Sequence, residues 1–392
     1  MKTPVITSLL DTDLYKFTMM QAVFHQHSSA QVKYAFKCRN VGIDLRPLIP
    51  RLKEEIAALC ALRFTADELD YLRTRRFLKS DFIDFLEMFY LQEKHIKIVP
   101  LENGEIEINI EGSWLNTILF EVPVLALVNQ IYYETQNTED VLAEGKARLA
   151  AKIEFLKNTD GAEGFRMSDF GTRRRFSKDW QKYVVTEMKN NLPVQFTGTS
   201  NVLLAKELNL IPIGTMAHEW LQAFQGLGGR LVDFQKAALE SWSQEYRGDL
   251  GIALTDVVGM DAFLKDFDLY FCKLFDGVRH DSGSPYEWSD KMLAHYKEMK
   301  IDATQKQFVY SDGLTLQSAW GLYVKYKDQA KTFFGIGTNL THDLGLKPLN
   351  VVLKMVECNG QPVAKVSDSA GKEMCKDASF IQYLKNVFNI TK

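Results

Sequence analysis

The sequence predicts an α/β protein built on an irregular (β/α) barrel, for two reasons. Short apolar strands alternate with helical stretches from about residue 164 onward, which indicates parallel βα units. Each strand also ends in polar or glycine-rich residues, as the active-site end of such a barrel does. An open doubly wound sheet is the structural alternative. The strand candidates are Phe165–Phe170, Val194–Gly198, Ile211–Thr215, Gly251–Thr255, Gly277–His280, Phe308–Ser311 and Thr332–Gly335.

The residues before the barrel predict an α+β domain that the C-terminal segment rejoins. Val32–Arg39 alternates apolar and polar residues as a half-buried strand does. Asn103-Gly104 and Asn359-Gly360 each lie between apolar runs, which is a strong hairpin signal. We therefore expect an N-terminal domain over residues 1–140, with residues 349–392 packing back on it, and a barrel over residues 141–348.

The opening helix carries two polar residues whose role the pattern leaves undecided. Asp11, Thr12 or Asp13 can cap a helix that runs to about Gln26. Tyr15 and Lys16 lie off its apolar face. They therefore either form a solvated flank or point at another part of the protein.

Composition argues against several classes of protein. The formal net charge is −3, so no basic surface is predicted for nucleic acid or an anionic membrane. The N-terminus lacks the layout of a signal peptide, and Glu121 and Pro123 interrupt the longest apolar patch, Ile118 to Val128. The five cysteines are widely spaced without a CxxC pair. Reduced thiols and a cytoplasmic location are therefore expected.

Two strand ends predict chemistry on an anionic substrate. Arg279 stands two residues before Asp281, which suits a ligand with phosphates for the arginine and hydroxyls or a metal for the carboxylate. His218 follows a Gly-Thr turn and can serve as general base, metal ligand or phosphoryl acceptor. The alternatives are a surface turn with a local Arg–Asp pair, and a structural histidine.

Three further turns fit phosphate and ring binding. Phe170 can stack on a flat ring, and the three arginines after it suit a polyanion, although consecutive arginines cannot all face one pocket. Ser311-Asp312-Gly313 and Gly335–Asn339 follow the last two strands, where barrels often bind phosphate. No G-x-x-x-x-G-K-[ST] motif occurs, so a Walker A loop is excluded.

At this point the chain resembles the bacterial nicotinate phosphoribosyltransferases, which belong to the type II phosphoribosyltransferases, from about Leu10 to Ser369. The resemblance implies the barrel of that superfamily. Several motifs stand in one order: Asp11-Thr12-Asp13-Leu14-Tyr15-Lys16, Asp169–Phe176, Gly198-Thr199-Ser200-Asn201, Gly214–Trp220, Gly277–Gly283 and Phe334–Thr338.

The resemblance implies that nicotinate, 5-phosphoribosyl 1-diphosphate, ATP and water give nicotinate mononucleotide, diphosphate, ADP and phosphate. This reaction belongs to NAD biosynthesis, and His218 would carry the phosphoryl group. Mg²⁺ would accompany the diphosphate or ATP, with no residue assigned as its ligand. In dimeric relatives the tyrosine comes from the partner subunit, so a homodimer is possible.

The resemblance also gives roles to individual residues. Tyr15 and Phe170 would sandwich the pyridine ring, and Arg173 and Arg279 would hold phosphate, diphosphate or the nicotinate carboxylate. Asp281 would bind ribose hydroxyls. The remaining binding residues would be Thr199, Ser200, Ser311, Asp312, Gly313, Gly335, Gly337 and Thr338.

Two positions depart from the pattern of the relatives, and three rival functions stay open. Ser284 stands where relatives commonly have Asp, and Gly313 where they often have Asn. A nicotinamide phosphoribosyltransferase commonly has Asp at the position of Ser200, and a neutral hydroxyl suits a carboxylate substrate better. A Schiff-base enzyme on sugar phosphates lacks a lysine at any of the strand ends. A catalytically silent protein would bind its ligands without releasing diphosphate.

Overall fold

Two β-sheets organise the chain. The computed structural model describes residues 3–136, 141–368, 374–375 and 377–390. The strands within them are β1 (Gln31–Cys38), β2 (Ile96–Pro100), β3 (Ile106–Ser113), β4 (Met167–Asp169), β5 (Phe196–Thr199), β6 (Ile211–Pro212), β7 (Ile252–Leu254), β8 (Gly277–His280), β9 (Gln307–Tyr310), β10 (Lys331–Ile336), β11 (Val351–Cys358) and β12 (Gln361–Pro362).

Helices surround both sheets, and most of those after residue 170 connect successive barrel strands. The α-helices are α1 (Leu14–Gln26), α2 (Ile49–Ala61), α3 (Ala66–Arg73), α4 (Ser80–Met88), α5 (Trp114–Thr117), α6 (Glu121–Glu134), α7 (Val141–Lys157), α8 (Lys178–Asn191), α9 (Val202–Glu207), α10 (His218–Ala223), α11 (Phe234–Tyr246), α12 (Met260–Asp266), α13 (Leu269–Leu274), α14 (Pro285–Glu298), α15 (Leu316–Tyr326), α16 (Thr338–Thr341) and α17 (Ala378–Val387).

The first sheet is antiparallel and contains the C-terminal strands, as predicted. Its order is β12-β11-β1-β3-β2, and β1 pairs with β3 on one side and β11 on the other. The expected Asn-Gly turns connect β2 to β3 and β11 to β12. The C-terminal segment therefore rejoins the N-terminal part through main-chain hydrogen bonds. The domain boundaries after residues 140 and 348 stay a prediction.

The second sheet is parallel, and all seven predicted strands belong to it. Its order is β6-β5-β4-β10-β9-β8-β7, so the first barrel strand pairs with the last, as Asp169 does with Ile336. A doubly wound sheet would not place the first and last strands side by side. The strands follow the chain order of a barrel that is open between β6 and β7, so the barrel prediction is confirmed with one gap.

The gap has a local cause in the sequence. The predicted strand Ile211–Thr215 shortens to two residues, because Pro212 has no N–H for a further ladder. Beyond it, side chains cross the opening instead of main-chain pairs. Thr215 Oγ1 donates to the carbonyl of Ile252 at 3.2 Å. The irregularity therefore lies beside His218, at the predicted active-site end.

Helix α1 is buried on all sides, and its two undecided residues are not a solvated flank. Every residue from Leu14 to Val23 is buried, and Lys16 is fully inaccessible. Leu14 N–H donates to the carbonyl of Ser200, and Asp13 forms an isolated bridge with Asn201. The start of α1 is thus attached to the turn after β5, at the mouth of the barrel.

One helical stretch of the described residues, Trp114–Glu134, is long and apolar enough in composition to cross a membrane. However, 78% of the 18-residue window that meets this test is buried inside the fold. Glu121, within the stretch, pairs with Lys16. Its apolar composition is therefore explained by the protein core.

Candidate active site

A cavity of about 330 Å³ lies where the carboxyl ends of the barrel strands face the antiparallel sheet. Twelve of the fourteen residues predicted from the sequence line it. The turns after the barrel strands therefore meet in one place, as the barrel prediction requires. The twelve are Tyr15, Phe170, Arg173, Ser200, His218, Arg279, Asp281, Ser311, Asp312, Gly313, Gly337 and Thr338.

The cavity is strongly basic. Six lining side chains are arginine or lysine and three are carboxylates. The whole chain, by contrast, carries a net charge of −3. A concentration of cations inside a cleft of an acidic protein favours a ligand with several negative charges, because the low-dielectric walls focus the field.

His218 is the first residue of α10, and a buried carboxylate holds its ring. Nε2 lies 2.6 Å from Asp256 Oδ1 and 3.6 Å from Asp281 Oδ2. Asp256 also accepts from Ser282 Oγ at 2.6 Å and pairs with Lys365 Nζ at 2.7 Å. Both of its oxygens are thus engaged, and it orients the imidazole.

The electrostatic surroundings favour a neutral His218. Burial and the nearby ammonium of Lys365 lower the pKa of His218, although Asp256 opposes them. Burial raises the pKa of Asp256, but Lys365 and His218 outweigh it and hold that pKa well below its usual range. A neutral imidazole that donates Nε2–H to this carboxylate keeps its Nδ1 lone pair. Nδ1 is then available as a nucleophile.

Asp281 follows β8 and is also held as a carboxylate. Ser311 Oγ donates to its Oδ1 at 2.8 Å, and Lys365 Nζ lies 3.8 Å from Oδ2. Burial opposes its ionisation, but Arg279, His218 and Lys365 lower its pKa below the usual range. Its side chain is 25% exposed, so it can accept hydrogen bonds from a ligand in the cavity.

Arg279 presents donors toward the same space. One guanidinium nitrogen, Nη1, donates to the carbonyl of Met216 at 3.2 Å. The buried Nε finds no acceptor among the described residues. A guanidinium with unused donors beside a cavity is suited to bind phosphate or carboxylate.

The His218, Asp256 and Asp281 ligand atoms lie within 4.8 Å of one another, which raises the question of a metal. Asp256 is already saturated by Ser282, Lys365 and His218. Of these two carboxylates, Asp281 still offers an oxygen toward the cavity, and Asp13 and Asp312 are the other carboxylates in the lining. The residues therefore fit a Mg²⁺ ion that takes one carboxylate and its other ligands from phosphates and water.

The aromatic part of the cavity is formed by Tyr15 and Phe170. Phe170 follows β4, and its ring lies against Gly335, where an added Cβ would meet Phe170 Cδ2 at 2.2 Å. Gly335 is therefore the seat of the ring and is not among the lining residues, and its predicted phosphate role stays a prediction. The buried Tyr15 hydroxyl has no partner among the described residues. A flat polar ligand can be held at these two side chains.

The Gly335→Ala variant is expected to displace the Phe170 ring, because the new methyl group cannot fit at 2.2 Å. For nicotinate, the ring substrate that the resemblance implies, we predict that KM rises about tenfold, while KM for the implied phosphoribosyl donor changes less than about twofold. Steady-state kinetics with each substrate varied in turn measures this. The control is Gly321→Ala, where an added Cβ meets only the terminal hydroxyl of Tyr286 at 3.2 Å. Equal changes in both KM values would contradict the seating role.

A buried polar network supports the turn that carries Phe170. Asp169 accepts from Gly171 N–H at 2.7 Å, Thr199 Oγ1 at 2.7 Å and Gln181 Nε2 at 2.8 Å. Burial raises the pKa of Asp169 to about 6 despite these bonds. Thr199 thus supports the turn and is not among the lining residues, and its predicted role in substrate binding stays a prediction.

As expected, the three consecutive arginines do not all face the cavity. Arg173 and Arg174 line the cavity. Arg175 is fully buried and forms two hydrogen bonds with Asp11, at 2.7 and 2.8 Å. The third arginine therefore anchors the segment before α1 to the barrel.

The two predicted phosphate loops lie side by side. Asn339 Nδ2 donates to the carbonyls of Gly313 and Leu314, at 3.2 and 3.0 Å. Gly313 has a φ of +60°, which a glycine adopts without strain. Ser284, the other departure from the relatives, caps α14 by accepting from Glu287 N–H at 3.4 Å. Its position outside the cavity lining gives it a structural role.

Several lining residues were not predicted, and four of them, Arg39, Asn350, Lys354 and Lys365, lie in or near strands of the antiparallel sheet. Lys354 interrupts the apolar run of β11, so a charged residue at a half-buried strand position was the available signal. Asp256, which holds His218 but does not line the cavity, follows β7 by two residues, so a polar residue after a barrel strand was the available signal for it. The additional lining residues with polar or charged side chains are Asp13, Arg39, Arg174, Asn339, Asn350, Lys354 and Lys365.

Comparison with known proteins agrees with this arrangement. Residues 165–392 match the nicotinate phosphoribosyltransferase (NAPRTase) family, and residues 10–129 match the N-terminal domain of that family. A nicotinate phosphoribosyltransferase of Acinetobacter baumannii is 57% identical over 99% of this chain and 98% of its own length. One of Burkholderia ambifaria is 55% identical, with the same coverage.

Solved structures show the same fold. The crystal structure of nicotinate phosphoribosyltransferase from Vibrio cholerae superposes with a TM-score of 0.95 at 39% identity, covering 100% of this chain and 95% of its own. That of Porphyromonas gingivalis gives 0.93 at 32% identity, covering 98% and 100%. Fold and sequence agree over almost the whole length, and the chain therefore belongs to the nicotinate phosphoribosyltransferase family.

Proposed function

We propose that this protein joins nicotinate to 5-phosphoribosyl 1-diphosphate and uses ATP through a phosphohistidine at His218. The observation that carries the proposal is the cavity, where an aromatic pair, a basic cluster and a carboxylate-held histidine meet. Nicotinate is an aromatic acid and the donor is a polyanionic sugar. Both ligands match the chemistry of the lining.

In the transfer step, the pyridine nitrogen uses its lone pair to attack C1 of the ribose. The bond between C1 and the diphosphate oxygen breaks, and diphosphate leaves with that electron pair. Because the ribose develops positive charge, the nearby carboxylate of Asp281 stabilises the transition state and accepts ribose hydroxyls. No general base is required, so Tyr15 and Phe170 need only hold and aim the ring.

Charges from the antiparallel sheet are placed to hold the diphosphate. Arg39 and Lys354, which lie next to β1 and in β11, line the cavity, as does Lys365, which also pairs with Asp256 and Asp281 at the ends of barrel strands. Ser311–Gly313 and Gly337-Thr338 then remain for the 5′-phosphate at the ends of the last strands. Asp281 would be the protein residue that holds a Mg²⁺ ion on the diphosphate, and the ion would supply further neutralisation of the leaving group.

The phosphoryl step uses the free nitrogen of His218. Nδ1 attacks the terminal phosphorus of ATP, the bond to the bridging oxygen breaks, and ADP leaves. Asp256 keeps the ring oriented and stabilises the positive imidazole that forms. Water later attacks the phosphohistidine and releases phosphate.

Nicotinate is preferred over nicotinamide as the substrate. Ser200 lines the cavity, and Arg173 offers the positive charge that pairs with a carboxylate. Ser200 Oγ donates to Asp13 Oδ1 at 2.7 Å. Competition between the acid and the amide in one turnover assay tests this preference directly.

Product analysis is the experiment that tests the proposal as a whole. Purified protein is incubated with nicotinate, 5-phosphoribosyl 1-diphosphate and Mg²⁺, with and without ATP. Nicotinate mononucleotide and diphosphate are expected in both, with more product when ATP is hydrolysed. Tight binding of the donor without diphosphate release would instead favour a silent binding protein.

The donor affinity is expected to depend on pH through Lys354. Burial, together with the charges of Lys365 and Arg39, lowers the pKa of Lys354 to about 7. Lys354 is therefore cationic below this pH and neutral above it, and binding of diphosphate favours the cation. We predict that KM for the donor rises about tenfold from about pH 6 to about pH 8.

The donor also titrates, since phosphate groups have a pKa near 6. The Lys354→Arg variant, which stays charged, therefore serves as the reference for the slope of KM against pH. A wild-type slope no steeper than that of the arginine variant would contradict the role of Lys354.

The proposed enzyme is cytoplasmic, and its oligomeric state is open to measurement. A cytoplasmic enzyme fits the widely spaced, reduced cysteines, which are free in the structure. Tyr15 lines the cavity formed by its own chain. A homodimer stays a prediction, to be measured by sedimentation.

A further inference from the structure

A chain of charged side chains runs from the aromatic part of the cavity to the helix that carries His218. Arg173 Nη1 lies 3.5 Å from Glu121 Oε1, and Glu121 Oε2 lies 2.6 Å from Lys16 Nζ. Lys16 Nζ in turn pairs with Glu219 Oε2. Glu219 directly follows His218 in α10. We call Arg173, Glu121, Lys16 and Glu219 the charge chain.

The middle of the charge chain is withdrawn from solvent. The side chain of Lys16 is fully buried, and those of Glu121 and Glu219 are 11% and 7% exposed. Burial lowers the pKa of Lys16, but Glu121 and Glu219 outweigh it and raise that pKa above its usual value. Lys16 is therefore a cation, and the two carboxylates depend on it for their charge balance.

Glu219 is held by more than the lysine. Trp114 Nε1 donates to its Oε1 at 2.6 Å, and the Tyr34 hydroxyl donates to the same oxygen. On the other side of α10, Asp256 holds the His218 ring. The first turn of α10 is thus fixed between a carboxylate of the barrel and the charge chain. Lys16 is thus connected to His218 through the side chain of Glu219 and one peptide bond.

Glu121 is the shared member of the charge chain. Its carboxylate faces the partly exposed Arg173 with one oxygen and the buried Lys16 with the other. Burial opposes ionisation of Glu121, but the charges of Lys16 and Arg173 lower its pKa. A substrate carboxylate on Arg173 competes with Glu121 for the guanidinium. With Arg173 occupied, the carboxylate of Glu121 then interacts more strongly with Lys16.

We infer that Lys16 is a positioning residue that couples occupation of Arg173 by the substrate carboxylate to phosphorylation of His218. Buried ion pairs are weak evidence for stability, since apolar replacements are often as stable. The charge chain connects Arg173 in the aromatic part of the cavity to the helix that carries His218, which favours a role in function over a role in stability alone. The inference rests on the proposed function, because it requires the phosphohistidine.

The test measures the rate at which acid-labile phosphate forms on the protein from ATP labelled in its terminal phosphate, with and without nicotinate. In the unaltered protein, nicotinate is expected to change this rate at least about fivefold. In Lys16→Met the change is expected to fall below about twofold, and Lys16→Arg is expected to restore at least half of it. Glu121→Gln gives an independent second variant if Lys16→Met does not fold.

Lys152→Met is the matched control. Lys152 is another largely buried lysine, 14% exposed, paired with a carboxylate, Asp343, which keeps Arg148 as a second partner. It does not line the cavity. The control should lose stability without losing the response to nicotinate.

The outcomes separate the inference from the function on which it rests. Absence of labelled phosphate on the unaltered protein would overturn both. Labelled phosphate that does not respond to nicotinate, or that responds equally in Lys16→Met or Glu121→Gln, would overturn the coupling alone. A lost response in both variants, with restoration by arginine, would support it.

Discussion

The His218→Ala variant is expected to lose ATP hydrolysis by about 10³-fold or more, because alanine removes the nitrogen that accepts the phosphoryl group. Among the described residues, His218 is the one histidine that lines the cavity, and its ring pairs with Asp256 at 2.6 Å. No second imidazole in the lining can therefore replace it. Nicotinate mononucleotide should still form slowly, since the transfer step needs no phosphohistidine. Phosphate release and product formation, measured in the same reaction, give the two rates.

His25→Ala is the matched control for this variant. His25 also bonds carboxylates, with Nδ1 at 2.8 Å from Glu245 and Nε2 at 3.1 Å from Asp81, but it does not line the cavity. Its ATP hydrolysis should stay near that of the unaltered protein. Undiminished coupling of ATP to product in His218→Ala would exclude the phosphohistidine.

The Arg279→Ala variant is expected to raise KM for 5-phosphoribosyl 1-diphosphate about 10²-fold, because a charged hydrogen-bond donor to the phosphates is lost. In the structure its guanidinium makes one bond to a carbonyl and keeps Nε without an acceptor among the described residues. The Arg279 side chain therefore contributes little to the free energy of folding. We expect the melting temperature to change by less than about 2 °C.

Arg166→Ala provides the comparison for stability. Arg166 also donates to main-chain carbonyls, those of Glu163 and Phe165, and it lies outside the lining of this cavity. In Arg166→Ala, KM for 5-phosphoribosyl 1-diphosphate should stay unchanged. If Arg279→Ala loses melting temperature and donor affinity in proportion, Arg279 is a structural residue and the phosphate assignment fails.

The strand ends were predictable because parallel strands must bring their carboxyl ends to one edge. Once seven apolar strands were recognised, the turns carrying Phe170, His218, Arg279 and Asp281 had to meet. The binding role predicted for Thr199 stays a prediction. Neighbouring strand residues point to opposite sides, so Ser200 lines the cavity while Thr199 supports the turn.

Contacts between distant segments were not predictable. The apolar periodicity of α1 did not decide whether Tyr15 and Lys16 are solvated or buried. A residue off the apolar face of a helix is solvated unless another element covers it. Here the barrel, α6 and α10 cover it. Arg39, Lys354 and Lys365 join the cavity because an antiparallel sheet packs over the barrel mouth, and no local pattern encodes that packing.

Local patterning along this chain was enough for the strands, the Asn-Gly turns and the polar turns that follow each barrel strand, since these depend on neighbours within a few residues. Only the folded chain settled that Asp256 holds His218, that Gly335 seats Phe170, and that Lys16 joins two carboxylates from α6 and α10. Those arrangements pair residues far apart in sequence, and their energies arise from burial that exists only after packing.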